Sequence, residues 1–397
     1  MPLWDVTFDL GLDLRNQELL TLVAKAHALA KVIREIPIPP GLQQRIDRLN
    51  ILRAVRSTTG IEGADLSETE VEQILAQPKR RVLPEGRQRE ELEVRNAERV
   101  MEYVAQLVLD RPGQPLTEEL ICEIHRLTTE DIDYAHNEPG VYRTYAVRAG
   151  TYTPPRTGEE VRRLMGDFVK WFTEGEARNW DPAIRAIAAH FYVISIHPFG
   201  DGNGRTSRAL ESFLLYQGGL NARGFYSLAN YYYRHRSEYV AHLDHVRFES
   251  RGNLTPFVLF ALRGLVQELE GVHTEVLRLV RVIAFRDYAR EQLLEAKKLR
   301  TKTGERMFQL LLGLASELRP VSLTELRQGQ HRLAGLYSRV TPKTLSRDLN
   351  FLRKEELIRI QDDAILANLD LMDRYVPPKL LPRRPPPPPI PKRRSRA

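Results

Sequence analysis

The twelve residues His197-Pro198-Phe199-Gly200-Asp201-Gly202-Asn203-Gly204-Arg205-Thr206-Ser207-Arg208 restrict the fold more than any other stretch of the 397-residue chain. Upstream, Ile184, Ile187, Ala188, Phe191 and Ile194 recur at the spacing of a buried helix, which delivers His197 to its C-terminal end. Pro198 disfavours helix at the residue before it. Gly200, Gly202 and Gly204 allow backbone angles that other residues avoid, so main-chain N–H groups can converge into an anion-binding nest. A second helix is predicted from Arg205 to Tyr216, ended by Gly218-Gly219, and its N-terminus adds unpaired N–H groups and a favourable dipole. Arg205 and Arg208, three apart, stand on one face as fixed cations.

These parts are an inventory for phosphoryl or nucleotidyl transfer, in which positioning and charge neutralisation do most of the work. Asp201 is the carboxylate of the loop and the natural Mg²⁺ ligand, since that ion takes one or two carboxylates plus substrate phosphates. Asn203, the loop N–H groups and the two arginines suit the phosphates. His197, with an ordinary pKa of about 6.5, suits proton abstraction from a hydroxyl. His190, seven residues earlier, has no further ligands at useful spacing and reads as a packed core histidine.

The segment resembles the signature of Fic domains, His-Pro-Phe-x-Asp/Glu-Gly-Asn-Gly-Arg-x-x-Arg, and matches it at every defined position. The resemblance implies AMP transfer from Mg-ATP to a Ser, Thr or Tyr hydroxyl of a target protein, with release of pyrophosphate. It implies His197 as the base, Phe199 as the core anchor and Asp201 as the metal ligand. Gly202 and Gly204 would cradle phosphate through their amides, Asn203 would contact the α-phosphate, and Arg205 and Arg208 would hold the outer phosphates. Ser57-Thr58-Thr59-Gly60-Ile61-Glu62-Gly63 resembles the inhibitory motif of Fic proteins, with Thr58 and Glu62 at the defined positions. A glutamate docked on Arg208 would occupy the cation needed for the terminal phosphate and repel the triphosphate. In some relatives the same glutamate positions a water that removes AMP from the target, so de-AMPylation by Glu62 stays open.

Pro139-Gly140-Val141-Tyr142-Arg143 opens a β-rich stretch closed by Pro154-Pro155. It is similar to the Fic flap, a hairpin that pairs with the target backbone, and the likeness puts Ala149, Gly150, Thr151 and Tyr152 on the nucleotide side. A tyrosine-rich helix is predicted from Asn230 to Val246. Relatives use a tyrosine there beside the adenine, which points to Tyr239, although Val240 stands where a second aromatic is common. The cluster Tyr231-Tyr232-Tyr233 offers hydroxyls for self-modification.

At 42% hydrophobic residues the chain can bury a sizeable core, and Cys122, its one cysteine, excludes an intrachain disulfide. No 18-residue apolar run exists and the N-terminus lacks a basic-then-apolar leader, so a soluble cytoplasmic protein without membrane contact is expected. The net charge of +7 comes from the tail. Residues 376–397 hold seven Lys or Arg and no acid, and without them 52 basic residues face 52 acidic ones.

The expected fold is mostly α: a Fic-fold helical bundle with a β-hairpin flap, plus a C-terminal winged helix-turn-helix. Residues 1–110 form an N-terminal helical region with the inhibitory motif, in which Ser67 and Glu70 read as a capping box. Residues 111–270 form the catalytic domain, 271–300 a connecting helix, 301–370 the winged helix and 371–397 a Pro/Arg-rich disordered tail. Two helices are expected at 255–270 and 272–299. The winged-helix order is three helical segments, 303–318, 322–327 and 341–355, and then a strand-turn-strand over 358–366. From Arg327 to Lys354 seven basic residues stand against Asp348, a footprint of phosphate contact that makes DNA a candidate partner, with protein–protein contact as the other use of such modules. A DNA-binding regulator whose Fic domain only senses ATP is the rival reading, and a homodimer is open.

Overall fold

The computed structural model describes residues 6–375 apart from 14, 79, 222–226, 251 and 318; the proline-rich part of the tail lies outside the described residues. The fold is mostly α, and the chain divides into two compact units between Val276 and Leu277.

In the first unit, α1 (Gln17–Glu35), α2 (Pro40–Ile61), α3 (Glu68–Ala76), α4 (Gln88–Asp110), α5 (Glu118–Thr129) and α6 (Gly158–Thr173) precede α7 (Pro182–Ile196) and α8 (Asn203–Gln217); α2, α4 and α5 pack on α8, and α6 packs on α7. The sequence explains why α7 lies at the centre. It is apolar on every side, and a helix without a polar face can only be buried. Pro182 stands in its first turn, and the Asp181 carboxylate accepts from the Ala183 N–H at 2.8 Å. The capping box opening α3 is formed as the sequence predicts, with Ser67 and Glu70 satisfying each other's amides. Helix α2 packs on α4 and α8, which brings the residue after its last turn, Glu62, to the start of α8.

The tyrosine-rich segment is two helices, α9 (Leu228–Arg234) and α10 (Arg236–Phe248), joined at His235. An unbroken helix would separate residues seven apart by about 10.5 Å along its axis. The rings of Tyr232 and Tyr239 instead stack with centroids 4.8 Å apart, and the break permits it. Conversely, α11 (Thr255–Glu295) is one helix where two are expected. Gly271 costs only about 1 kcal/mol inside a helix, too little to stop it without a capping partner.

The second unit has its own core, in which Phe285, Leu310, Leu349, Leu352 and Ile365 are buried. It contains α12 (Lys302–Ser316), β1 (Val321–Ser322), α13 (Leu323–Gln328), α14 (Pro342–Lys354), β2 (Ile358–Gln361) and β3 (Ala364–Ala367). The strands form an antiparallel sheet ordered β1-β3-β2, with Val321 opposite Ile365 and Ile358 opposite Ala367. Among the described residues no helix is long and apolar enough to cross a membrane.

Candidate active site

Helix α7 ends at His197, which adopts the left-handed conformation at φ 52°, ψ 58° and so turns the chain out of the helix. Its Nδ1 lies 3.3 Å from the Ile194 carbonyl. A carbonyl can only accept, so the hydrogen resides on Nδ1 and Nε2 keeps its lone pair. Burial pushes the imidazole pKa down to about 4, and the Arg247 and Arg143 charges press the same way against the Ile194 hydrogen bond. The ring is therefore neutral at pH 7.

Two arginines brace this helix end. Arg143 Nε donates to the His197 carbonyl at 2.7 Å, while its Nη1 and Nη2 reach the carbonyls of Tyr145 at 2.6 Å and Pro155 at 2.7 Å. One buried guanidinium thus ties both ends of the 145–155 segment to the residue that carries the imidazole. Arg247 donates to Ser195 Oγ at 3.1 Å and lies 4.3 Å over the Tyr152 ring.

The loop after His197 is locked from below. Phe199 is fully buried and stacks on His125 at 3.6 Å. The Gly140 N–H donates to His125 Nδ1 at 2.9 Å, so Nε2 carries the hydrogen it gives to the Asp201 carbonyl at 2.9 Å. The Asn203 side chain closes the loop, accepting from the Phe199 N–H at 2.9 Å and donating to its carbonyl at 3.0 Å. Gly202 takes φ 73°, after which α8 opens with no side-chain cap. Its first amides are the ready-made anion site expected of a helix N-terminus.

Both predicted cations are buried at this site. Arg205 Nη2 donates to the Tyr134 hydroxyl at 2.5 Å and lies 3.5 Å from Asp201 Oδ1, and Tyr134 donates in turn to Glu93 at 2.7 Å. Arg208 is held by Thr58 and Glu62. Its Nε donates to Thr58 Oγ1 at 2.9 Å, and its Nη2 to the Thr58 carbonyl at 3.0 Å and to Glu62 Oε1 at 2.6 Å. A Cβ added to Gly204 would collide with the Glu62 carboxylate, so that carboxylate lies directly against the first turn of α8. Desolvation pushes the Glu62 carboxyl up, but Arg208, then Arg205 and His197, outweigh it and hold the pKa below the usual carboxylate value.

The expected hairpin is reduced to a single bridge, with Ala149 and Tyr152 exchanging both hydrogen bonds at 3.0 Å around Gly150-Thr151. Thr151 donates to Asp244 at 3.2 Å, and Tyr152 is buried. Tyr239 is buried as well, its hydroxyl 2.9 Å from His190 Nε2, while His190 Nδ1 lies 3.1 Å from Glu211. The sequence reading missed His125, Glu93, Tyr134 and Arg247 and used Arg143 only as a landmark. For His125 and Glu93 a signal existed: each stands one helical turn from an apolar residue of a buried face, His125 after Ile121 in α5 and Glu93 before Ala97 in α4.

A pH dependence of stability follows from the two histidines. Burial also holds His125 down to about 4. Between about pH 6.5 and 4 the unfolded chain therefore binds protons that the folded chain refuses, and stability falls as pH drops through that window. Urea unfolding at pH 7.0 and 5.0 checks this: the midpoint is lower at pH 5.0, and His125→Phe, which keeps the stack on Phe199, narrows the gap.

Residues 115–215 match the family model described as Fic/DOC family. The chain is similar to the protein adenylyltransferase Fic of Aedes aegypti, 29% identical over 218 residues, covering 55% of this chain and 40% of that protein. It is similar to protein adenylyltransferase fic-1 of Caenorhabditis elegans, 30% identical over 220 residues, covering 55% and 41%. The chain thus spans about two-fifths of the length of these curated relatives. Among solved structures, a C. elegans Fic-1 fragment superposes with TM-score 0.54 at 26% identity over 64% of this chain and 71% of that one. A Fic family protein from Desulfovibrio desulfuricans G20 gives 0.56 over 92% and 98%; at 19% identity this is a likeness of fold alone.

Proposed function

We infer that this Fic domain transfers AMP from ATP to a Ser, Thr or Tyr hydroxyl of a target protein. The observation that carries the reading is the free Nε2 of a neutral His197, one short loop from the uncapped start of α8, where Arg205 and Arg208 are buried. In the step, Nε2 takes the hydroxyl proton, the oxygen bonds to the α-phosphorus, and the bond from that phosphorus to the α–β bridging oxygen breaks to release pyrophosphate. The amides around Gly202 and Gly204, with both guanidinium groups, hold the phosphate charge, and the second Nδ2 hydrogen of Asn203 suits the α-phosphate. Residues 149–152 and the Tyr239 ring are assigned to the nucleotide side.

Asp201, 42% exposed at the loop, fits the carboxylate that Mg²⁺ takes alongside substrate phosphates; when bound, the ion supplies charge neutralisation. Among the described residues no group of three or more His, Cys, Asp or Glu side chains could hold a metal. That suits an ion coordinated largely by its substrate. Glu62 is the inhibitor of this site, because its carboxylate already holds Arg208 and covers the phosphate position. The free Cys122 fits a reducing, cytoplasmic setting.

Arg143 sets the imidazole and the flap together. Arg143→Ala is expected to lower the transfer rate about 100-fold, the scale of a small misplacement of reacting groups, and to weaken ATP binding less than it slows transfer. Single-turnover rates beside calorimetric ATP titration test it, and Arg143→Lys restores only part of the rate because it cannot span three carbonyls.

The second unit is read as a winged helix, with α14 as its third helix and β2-β3 as the wing. The finer division into an N-terminal region, a catalytic domain, a connecting helix and a winged helix follows the boundaries given above. Label transfer from α-labelled ATP with Mg²⁺ tests the transferase reading, using Glu62→Gly with and without His197→Ala. Labelling of a hydroxyl residue in the first and none in the second is the expected result. If both bind ATP and neither labels any protein, the reading fails and a nucleotide-sensing regulator takes its place.

A further inference from the structure

Helix α14 presents two unlike faces. Leu345, Asp348, Leu349 and Leu352 are buried against the second unit's core, while Lys343, Ser346, Arg347, Asn350, Arg353 and Lys354 are exposed. Within the exposed set, Lys343, Arg347, Asn350 and Lys354 follow one another at steps of four, three and four. They make a single straight row along the helix.

The charge of that row is uncompensated. The one acid of α14, Asp348, faces inward, where Arg306 donates to it from Nε at 2.9 Å and pairs through Nη2 at 2.8 Å. Its negative charge is spent inside the fold. The next acids, Glu355 and Glu356, come only after the helix ends, and Glu356 is paired with Arg374 at 2.8 Å. Among the described residues Lys343, Arg347, Arg353 and Lys354 have no acidic partner. Arg339, in the turn before the helix, is exposed and adds a further cation.

We propose that the outer row of α14 enters the major groove of duplex DNA, with Arg347 and Asn350 at base edges and Lys343 and Lys354 on phosphates. The inference rests on the winged-helix reading of the second unit and not on the transferase reading of the first. Dimensions agree: thirteen residues span about 20 Å, and a helix with side chains is about 10–12 Å across, close to the width of the major groove of about 12 Å. Chemistry agrees as well. Arginine and asparagine are the side chains that pair bidentately with guanine and adenine edges, and here they hold the two middle places of the row, with lysines at its ends.

The wing takes no part in the contact. Its turn carries Asp362 and Asp363, both exposed. Asp363 is occupied within the fold, accepting from Ser322 Oγ at 2.7 Å, the Thr324 N–H at 3.1 Å and Thr324 Oγ1 at 2.9 Å, which fixes the start of α13. Two carboxylates at that tip repel phosphate, so the helix binds without the second anchor that a basic wing would give.

The test uses the full-length protein and fluorescence anisotropy with a mixed-sequence duplex of about 24 base pairs, titrated from 50 to 200 mM salt, followed by selection from a random duplex pool. Binding at 50 mM salt that weakens steeply with salt is expected, and Lys343→Ala and Lys354→Ala should each reduce the log–log salt slope by about one. Arg347→Ala should weaken the selected site at least tenfold and weaken mixed-sequence DNA less. Circular dichroism checks that these surface variants fold. No binding at 50 mM salt overturns the proposal. So does full binding by Lys343→Ala/Arg347→Ala, since the arginine-rich tail would then carry the affinity. AMP transfer by Glu62→Gly, unchanged when Lys343→Ala is added, keeps failure of this inference separate from failure of the transferase reading.

Discussion

His197→Ala, placed in a Glu62→Gly background, is expected to lower AMP transfer by about 10²–10⁴-fold, the usual contribution of a positioned general base. ATP affinity should hardly change, because the groups assigned to phosphate, Arg205, Arg208 and the α8 amides, are untouched. A loss in kcat without a loss in nucleotide binding would separate the base from a merely structural histidine, whose removal would disturb both. The pH profile sharpens the test. An ordinary imidazole is half protonated near 6.5, and its rate limb would fall there. His197 is held down to about 4 by burial, with Arg247 and Arg143 adding to the shift. The group stays deprotonated as pH falls from 7 to 5, so the acid limb should appear near pH 4, where protonation removes the accepting lone pair. Single-turnover rates between pH 4 and 8 would show it, and a limb near 6.5 would mean that the imidazole is solvated when it works.

The parts legible in the sequence are those whose cause is local. Pro198 and the loop glycines end α7 and open α8 within two residues of the predicted positions, because backbone permission is a property of the residue itself. The contact of Glu62 with Arg208 joins residues 146 apart, and only the motif resemblance pointed to it. What could not be read is the support beneath these groups. Arg143 reaches a carbonyl 54 residues away and His125 one 76 residues away. No composition or periodicity encodes which backbone oxygen a buried side chain will find. The same holds for the turn at His235, which lets Tyr232 stack on Tyr239. Asn203 shows both levels in one residue. Its place in the motif suggested phosphate, while the fold also uses its amide to clamp Phe199, so this side chain shapes the loop before any ligand arrives.

Glu62→Gly should raise AMP transfer by at least 100-fold and tighten ATP binding. The Glu62 side chain is 37% exposed, whereas Arg208, which it pairs with at 2.6 Å, is only 3% exposed. The carboxylate also lies against Gly204, where the amides of α8 await an anion. An incoming triphosphate must displace a like charge and break a short ion pair before it can use Arg208. Removing the carboxylate lifts both penalties, and about 2.7 kcal/mol of relief at the transition state equals 100-fold. Arg208 is not left bare in the variant, because both bonds to Thr58 remain at 2.9 and 3.0 Å. The stability cost should therefore stay near the ~1 kcal/mol of a partly exposed pair rather than that of a buried unpaired charge. Glu62→Gln separates charge from bulk, since it fills the same space without repelling phosphate. Activation of Gln to near the Gly level would identify electrostatics as the inhibitory term. Activation by Gly alone would assign inhibition to occupancy of the phosphate position, and equal activity of all three proteins at saturating ATP would remove Glu62 from the regulation of this site.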